Sequence, residues 1–354
     1  MRTDAFDYHL PEELIAQSPA LPRESCRLLV LNRQKGVVEH RVFTDILDYL
    51  NAGDLLVVNN TKVMPARLIG RKDGTGSTAE ILLLRRLAEL DPADDVSAQH
   101  WEALVKPGRR LKPGASIDFG GLRAQIVDWA GEDSKGQRTI RLQASGPATV
   151  DEALHLLGTL PLPPYIKSYS GNTSLYQTVY AREENSAAAP TAGLHFSDEL
   201  LEKAAALGCN RADVCLEIGL DTFRKVDEEF ITHHQMHRES YSLSETTAQA
   251  VAETKKRGGR VVAVGTTAVR ALESSAEPDG SLRVAQREQT QLYITPGYRF
   301  KAVDVLLTNF HTPRSTLMML VSAFGGYDAV MDAYKQAVES RYRFLSFGDA
   351  MLII

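Results

Sequence analysis

The chain has 354 residues, 44% of them apolar and 24% charged, with a formal net charge of −5. That length gives room for about two domains with proper cores. The composition excludes bulk disorder, and the charge excludes a strongly basic protein while allowing a local basic face.

The three cysteines, Cys26, Cys209 and Cys215, are odd in number and lack CxxC spacing, as expected of reduced thiols. The opening MRTDAFDYHLPEELIAQ carries acids and no apolar core, unlike a signal peptide. Apolar runs such as residues 317–321 fall far short of the ~20 residues of a membrane span. The chain reads as soluble and cytoplasmic.

Residues 27–31 and 37–43 read as strands about a turn at 33–36. Thr44 opens a short helix with Ile46, Leu47 and Leu50 on one face. The continuous apolar run 54–58 is a buried strand. It ends in Asn59-Asn60-Thr61-Lys62, polar groups at the strand end where α/β sheets bind ligands. From Pro65 to about Gln143, short β-like runs separated by Gly-rich and Pro-Gly turns suggest a small β-barrel. The fold class is therefore a mixed-sheet α/β body, residues 1–64 and 151–354, with an inserted barrel at 65–150. Basic residues of the insert, Arg67, Arg85-Arg86, Arg109-Arg110 and Lys112 among them, suit phosphate contacts or a solvated surface.

A helix at 150–157 and a stiff proline-rich run at 158–166 return the chain to the body. Tyr176 and Tyr180 would stack on a base or pack internally. The stretch 187–197 (AAAPTAGLHFS) combines small residues, Gly193 for positive φ, and His195, then enters a helix capped by Ser197. Such a turn holds an anion at a helix N-terminus or is simply a tight connection. Glu217 lies in the apolar strand 212–220 and needs either a partner or a solvent-facing edge. The histidines at 233, 234 and 237 lack an accompanying zinc motif, and no metal is expected. Strand 260–264 turns through Gly265-Thr266-Thr267 into a helix carrying Arg270. Strand 303–307 turns through Thr308, Asn309 and His311 into another at 317–324, repeating the grammar of 187–197. A strand at 291–294, a helix at 328–340 and a tail complete the reading.

The strings PTAGLHF (190–196), VAVGTTAVRALES (262–274), TNFHTPRST (308–316), YRFLSFGDAM (342–351), DLLVVNNTKVMPARLIGRK (54–72) and LPLPPYI (160–166) resemble one family. It is the S-adenosylmethionine:tRNA ribosyltransferase-isomerases of queuosine biosynthesis. The resemblance implies an α/β body with a small barrel. It implies transfer and rearrangement of the ribosyl part of S-adenosylmethionine onto 7-aminomethyl-7-deazaguanine at the tRNA wobble position, giving epoxyqueuosine and releasing adenine and methionine. S-adenosylmethionine is then a consumed substrate, with no resident cofactor, and the partners are tRNA and S-adenosylmethionine, bound by a monomer.

Within that resemblance, His195 and His311 suit proton transfer by their ordinary pKa. Glu217 is the third expected catalytic residue, a proton acceptor in place of the family's histidine or else merely structural, and Glu273 and Asp304 are carboxylate alternatives for the C5′ step. Pro190, Thr191, Ala192, Gly193, Gly265, Thr266 and Thr267 are the expected S-adenosylmethionine contacts, with the methionyl carboxylate at the helix beginning near Ser197. Asn59, Asn60, Arg67, Tyr176, Tyr180, Arg270 and Asn309 are the expected base or tRNA contacts. One departure stands out: the family usually reads Leu-His-Val-Gly-x-Gly-Thr-Phe where this chain has LEIGLDTF (216–223), placing Glu217 and Asp221 at the histidine and glycine positions. The second reading is a non-catalytic tRNA-binding relative.

Overall fold

The structure, a computed structural model, describes residues 1–87, 97–130, 136–146, 148–167, 169–219, 222 and 224–354. Asp221 therefore lies outside the described residues. Strands β1 (Arg27–Asn32), β2 (Val37–Val42), β3 (Leu55–Asn59) and β4 (Thr61–Val63) come first. Six follow: β5 (Arg67–Lys72), β6 (Thr78–Arg86), β7 (Ala98–Lys106), β8 (Ser116–Asp118), β9 (Leu122–Trp129) and β10 (Gln137–Ala144). After helix α1 (Val150–Leu157) come β11 (Glu183–Ser186), α2 (Asp198–Ala206), β12 (Asn210–Leu216), β13 (Glu239–Leu243), α3 (Glu245–Lys256) and β14 (Val261–Val264). The chain closes with α4 (Thr266–Ser275), β15 (Ala285–Thr290), β16 (Val305–Asn309), α5 (Thr316–Gly325), α6 (Tyr327–Glu339) and β17 (Ala350–Ile353).

Two compact units result. The larger comprises residues 1–62, 163–183 and 189–354. Its nine-stranded sheet has the order β15-β13-β12-β3-β14-β16-β17-β1-β2. The central strands β12, β3, β14 and β16 are mutually parallel, with Leu55 opposite both Asn210 and Val261, and Val262 opposite Val305. Of these, β3, β14 and β16 are near-continuous apolar, fully buried runs, as in parallel sheets covered on both faces, whereas β12 (NRADVCL) begins with exposed polar residues. On one face Leu56, Val58, Val262, Val264 and Leu307 pack with Phe43, Phe196 and Leu200.

The second unit comprises residues 63–162 and 184–188. Here β10-β7-β6-β5-β8-β9 close into a barrel. Alternating inward residues such as Leu68, Ile81, Leu83, Ala103, Ile117, Ala124 and Ile140 fill it. Helix α1, assigned from sequence to the body, buries Val150, Ala153 and Leu154 in this barrel core. Its capping box, Thr149 with Glu152, fixes where it starts.

Two expectations fail at strands. The residues read as a tail contain β17, which lies between β16 and β1 and is buried along its whole length. The strand expected at 291–294 sits instead at Ala285–Thr290, a polar segment paired with β13. Among the described residues no helix is long and apolar enough to cross a membrane.

Candidate active site

Parallel strands deliver their C-terminal ends to one edge of the sheet, where the backbone turns away and leaves a crevice. In the larger unit that edge holds an open cleft of about 590 Å³ including its mouth. Four segments line it. Ala189, Pro190, Thr191 and Ala192 come from the tight turn before α2, and Ile218 and Thr222 from the loop after β12. Gly265, Thr266 and Thr267 follow β14, while Thr308, Asn309, Phe310, His311 and Thr312 follow β16. Tyr165, Leu317, Leu345 and Ser346 complete the wall. Leu345 and Ser346 reach it because β17 runs antiparallel to β16, with Ala350 opposite Asn309.

Among the described residues no lysine, arginine or carboxylate lines this cleft; their polar groups are hydroxyls, one amide and one imidazole. That imidazole is His311. Its Nε2 lies 2.8 Å from the Thr308 hydroxyl, and its backbone N–H donates to the Tyr334 hydroxyl at 3.0 Å. Burial pushes its pKa down to about 3, so it is neutral at physiological pH.

His195 is placed differently. It is buried and does not line the cleft. Asn309 donates through Nδ2 to the Leu345 carbonyl at 3.1 Å, and a carbonyl can only accept, so the orientation of the amide is fixed. The same nitrogen lies 3.2 Å from Nε2 of His195. Nε2 is then the acceptor, and the imidazole hydrogen sits on Nδ1, 3.1 Å from the Cys26 sulfur. The Thr191 hydroxyl donates to Asn309 Oδ1 at 3.3 Å. Burial, then the charges of Arg343 and Arg23, hold His195 near pKa 3. A neutral histidine thus supports the amide that faces the cleft.

Gly193, expected to adopt positive φ, does not. It is glycine because a Cβ would stand 1.9 Å from the Tyr180 hydroxyl. Positive φ occurs instead at Gly265, φ 95°, the turn from β14 into α4.

The expected tRNA contacts divide. Asn309 faces the cleft, whereas Asn59 spends its amide bridging β3 to β12, donating to Leu216 O at 3.1 Å and accepting from Leu216 N–H at 3.0 Å. The Asn60 side-chain oxygen is buried without a partner among the described residues. Tyr176 is buried edge-on against Phe347, and Tyr180 is buried over Gly193, so both pack internally. Arg67 belongs to the barrel unit and pairs with Glu80 at 2.7 Å. Arg270 is buried and ion-paired with Glu239. Its charge is thus met inside the fold by a buried carboxylate. That carboxylate also accepts from Gly219 N–H and the Thr222 hydroxyl, both at 3.1 Å, and lies 3.2 Å from His237 Nε2. Burial alone would raise its pKa, but Arg270, His237 and the Gly219 N–H prevail and hold it at about 2.

Glu273 and Asp304 both accept from backbone N–H groups. Glu273 accepts backbone N–H groups of Lys301, Ala302 and Val303 at 2.9–3.2 Å. Asp304 accepts the Val261 N–H at 2.9 Å. The histidine cluster disperses: His234 meets Glu228, His237 meets Glu239, and His233 packs on Phe230.

A family model for queuosine biosynthesis protein matches residues 3–353. The chain belongs to this family. It is 51% identical over 355 residues to the S-adenosylmethionine:tRNA ribosyltransferase-isomerase of Symbiobacterium thermophilum, with 100% of each chain covered. It is 49% identical over 354 residues to that of Staphylococcus saprophyticus, again with 100% of each chain covered. Among solved structures it is similar to S-adenosylmethionine tRNA ribosyltransferase from Thermotoga maritima, at 39% identity and a TM-score of 0.55, covering 99% of this chain and 100% of that one.

The departure from the family pattern at Glu217 has a local explanation. Its carboxylate accepts from Arg287 Nε at 2.9 Å and lies 3.4 Å from Nη2, with its side chain 13% exposed. It faces β15 rather than the cleft, whose lining takes up the chain again at Ile218. Sequence reasoning missed Thr222, Phe310, Thr312, Tyr165, Leu345 and Ser346 as cleft residues. Most lie inside the strings that carry the resemblance, beside the polar residues that drew attention.

Proposed function

We propose that this chain is an S-adenosylmethionine:tRNA ribosyltransferase-isomerase. It moves and rearranges the ribosyl part of S-adenosylmethionine onto the aminomethyl group of 7-aminomethyl-7-deazaguanine in tRNA. The observation that carries this reading is the end-to-end match, at about 50% identity, to relatives bearing that name. S-adenosylmethionine is consumed, so no resident cofactor is invoked.

The cleft supplies chemistry of the right kind. A sulfonium is repelled by nearby cations, and none lines this cleft among the described residues. The sulfonium acidifies the C5′ protons, and a base must take one. His311 is the group we assign: it lines the cleft, its Nε2 lies 2.8 Å from the Thr308 hydroxyl, and burial keeps the ring neutral and so able to accept a proton. Asn309, held by His195 and Leu345, is a positioned amide for the ribosyl oxygens or the departing adenine. His195 is a positioning residue, and Glu217 takes no part in the chemistry.

Incubation with S-adenosylmethionine and tRNA bearing the aminomethyl precursor tests the reading. Adenine release with a matching mass gain at the wobble nucleoside is expected. Binding of tRNA without turnover would favour the non-catalytic relative, and S-adenosylhomocysteine formation would indicate methyl transfer.

A further inference from the structure

Three helices begin near or at the cleft, and their first turns differ. At α2, Ser197 Oγ accepts from Leu200 N–H at 3.2 Å and also meets Glu24 at 3.3 Å. At α5, Ser315 Oγ accepts from Met318 N–H at 3.1 Å. Both first turns are already capped by a side chain. At α4 the preceding residue is Gly265, which has no side chain to offer. The first bond of that helix runs from Val269 N–H to Gly265 O, so the N–H groups of Thr266, Thr267 and Ala268 precede it. Thr266 and Thr267 line the cleft.

A second observation comes from a side chain. The Thr267 hydroxyl is buried with no hydrogen-bond partner among the described residues, in a residue 9% exposed that lines the cleft. A buried hydroxyl without a partner is costly unless a ligand satisfies it. One helical turn further, Arg270 follows Thr266 at i+4 and, after pairing with Glu239, leaves Nε and Nη2 buried without partners among the described residues.

We infer that the first turn of α4, Gly265-Thr266-Thr267, is the subsite for the α-carboxylate of the methionyl portion, replacing the α2 N-terminus expected from sequence. This rests on the functional reading above and deepens it. S-adenosylmethionine carries one anionic group, and among the described residues the cleft offers one uncapped helix N-terminus and no lining cation to compete for it. Strands β14 and β16 are hydrogen-bonded neighbours, about 5 Å apart. A carboxylate at the β14 end therefore directs the sulfonium and ribosyl carbons toward His311 at the β16 end, leaving adenine to the wall that contains Phe310 and Leu345.

Calorimetric titration of the full chain with S-adenosylmethionine and with decarboxylated S-adenosylmethionine tests the assignment, in wild type and in Thr267→Val. Wild type is expected to bind the decarboxylated ligand about tenfold to a hundredfold more weakly, the range for a lost charge-assisted hydrogen bond. Thr267→Val should weaken S-adenosylmethionine about tenfold and leave the decarboxylated ligand unchanged, which also shows that the variant is folded. Equal wild-type affinity for the two ligands, or equal losses for both in the variant, overturns the subsite while leaving the function intact. Failure to bind S-adenosylmethionine at all overturns both.

Discussion

The Asn309 amide lies 3.2 Å from Nε2 of His195 and places the histidine behind the cleft rather than in it. A ring with both nitrogens occupied by protein groups, and neutral through burial, holds a neighbour in place. His195→Gln is expected to lower kcat about tenfold through displacement of Asn309, without moving the pH dependence of kcat between pH 5 and 8. Steady-state profiles of variant and wild type check this. A lost ionisation in that range would return His195 to the chemistry.

Glu217 makes the opposite case. Its carboxylate is paired with the exposed Arg287 outside the cleft lining. Glu217→Gln should leave kcat and the KM for S-adenosylmethionine within about twofold, and stability within about 1 kcal/mol, as for other partly exposed pairs. A large loss of turnover would mean that the family's histidine position acts in the reaction after all.

Two buried neutral histidines make stability depend on pH. His195 and His311 stand near pKa 3 in the fold and near 6.5 when unfolded. Between those values the unfolded chain binds more protons, so stability rises with pH and falls on acidification. The loss starts near pH 6.5, before carboxylates titrate, and reaches about 2 kcal/mol per histidine by pH 5. Urea unfolding at pH 7 and pH 5 measures it, and His311→Gln should remove roughly half.

Glu239 joins Arg270 of α4 to Gly219 and Thr222 of a cleft-lining loop. Glu239→Gln leaves a buried guanidinium without its counter-charge, which costs on the order of 3–5 kcal/mol. The KM for S-adenosylmethionine should rise as well, since Thr222 lines the cleft. Denaturation and kinetics on one preparation separate the two effects.

Gly193 offers a steric test. A Cβ there meets the Tyr180 hydroxyl at 1.9 Å and Tyr180 Cζ at 2.9 Å. Gly193→Ala is expected to destabilise by about 1–3 kcal/mol, as overpacking does. Tyr180→Phe, which removes a hydroxyl that has no partner, should restore part of the loss. No rescue would place the strain elsewhere.

The sheet was legible where strands are uninterrupted apolar runs followed by polar loops, as at β3, β14 and β16. The barrel was legible from its spaced turns. β17 was not, because four apolar residues at a chain end carry no following turn to mark them. Nor was β15, whose polar AQREQT shows little alternation along a strand paired only to β13. At the site, sequence shows that His195 and His311 each sit beside hydroxyls and amides. It does not show that Asn309, 114 positions away from His195, stands between that ring and the cleft. Side-chain partners across such separations arise only when the strand order brings their loops together, and they decide which histidine lines the cleft.

The most direct test of the account is His311→Ala, assayed for adenine release in a single turnover with S-adenosylmethionine and precursor tRNA, beside calorimetric affinity for S-adenosylmethionine. The account predicts an affinity within a few-fold of wild type and adenine release slowed by about 10²–10⁴, the worth of a positioned general base. Adenine release at the wild-type rate would contradict it.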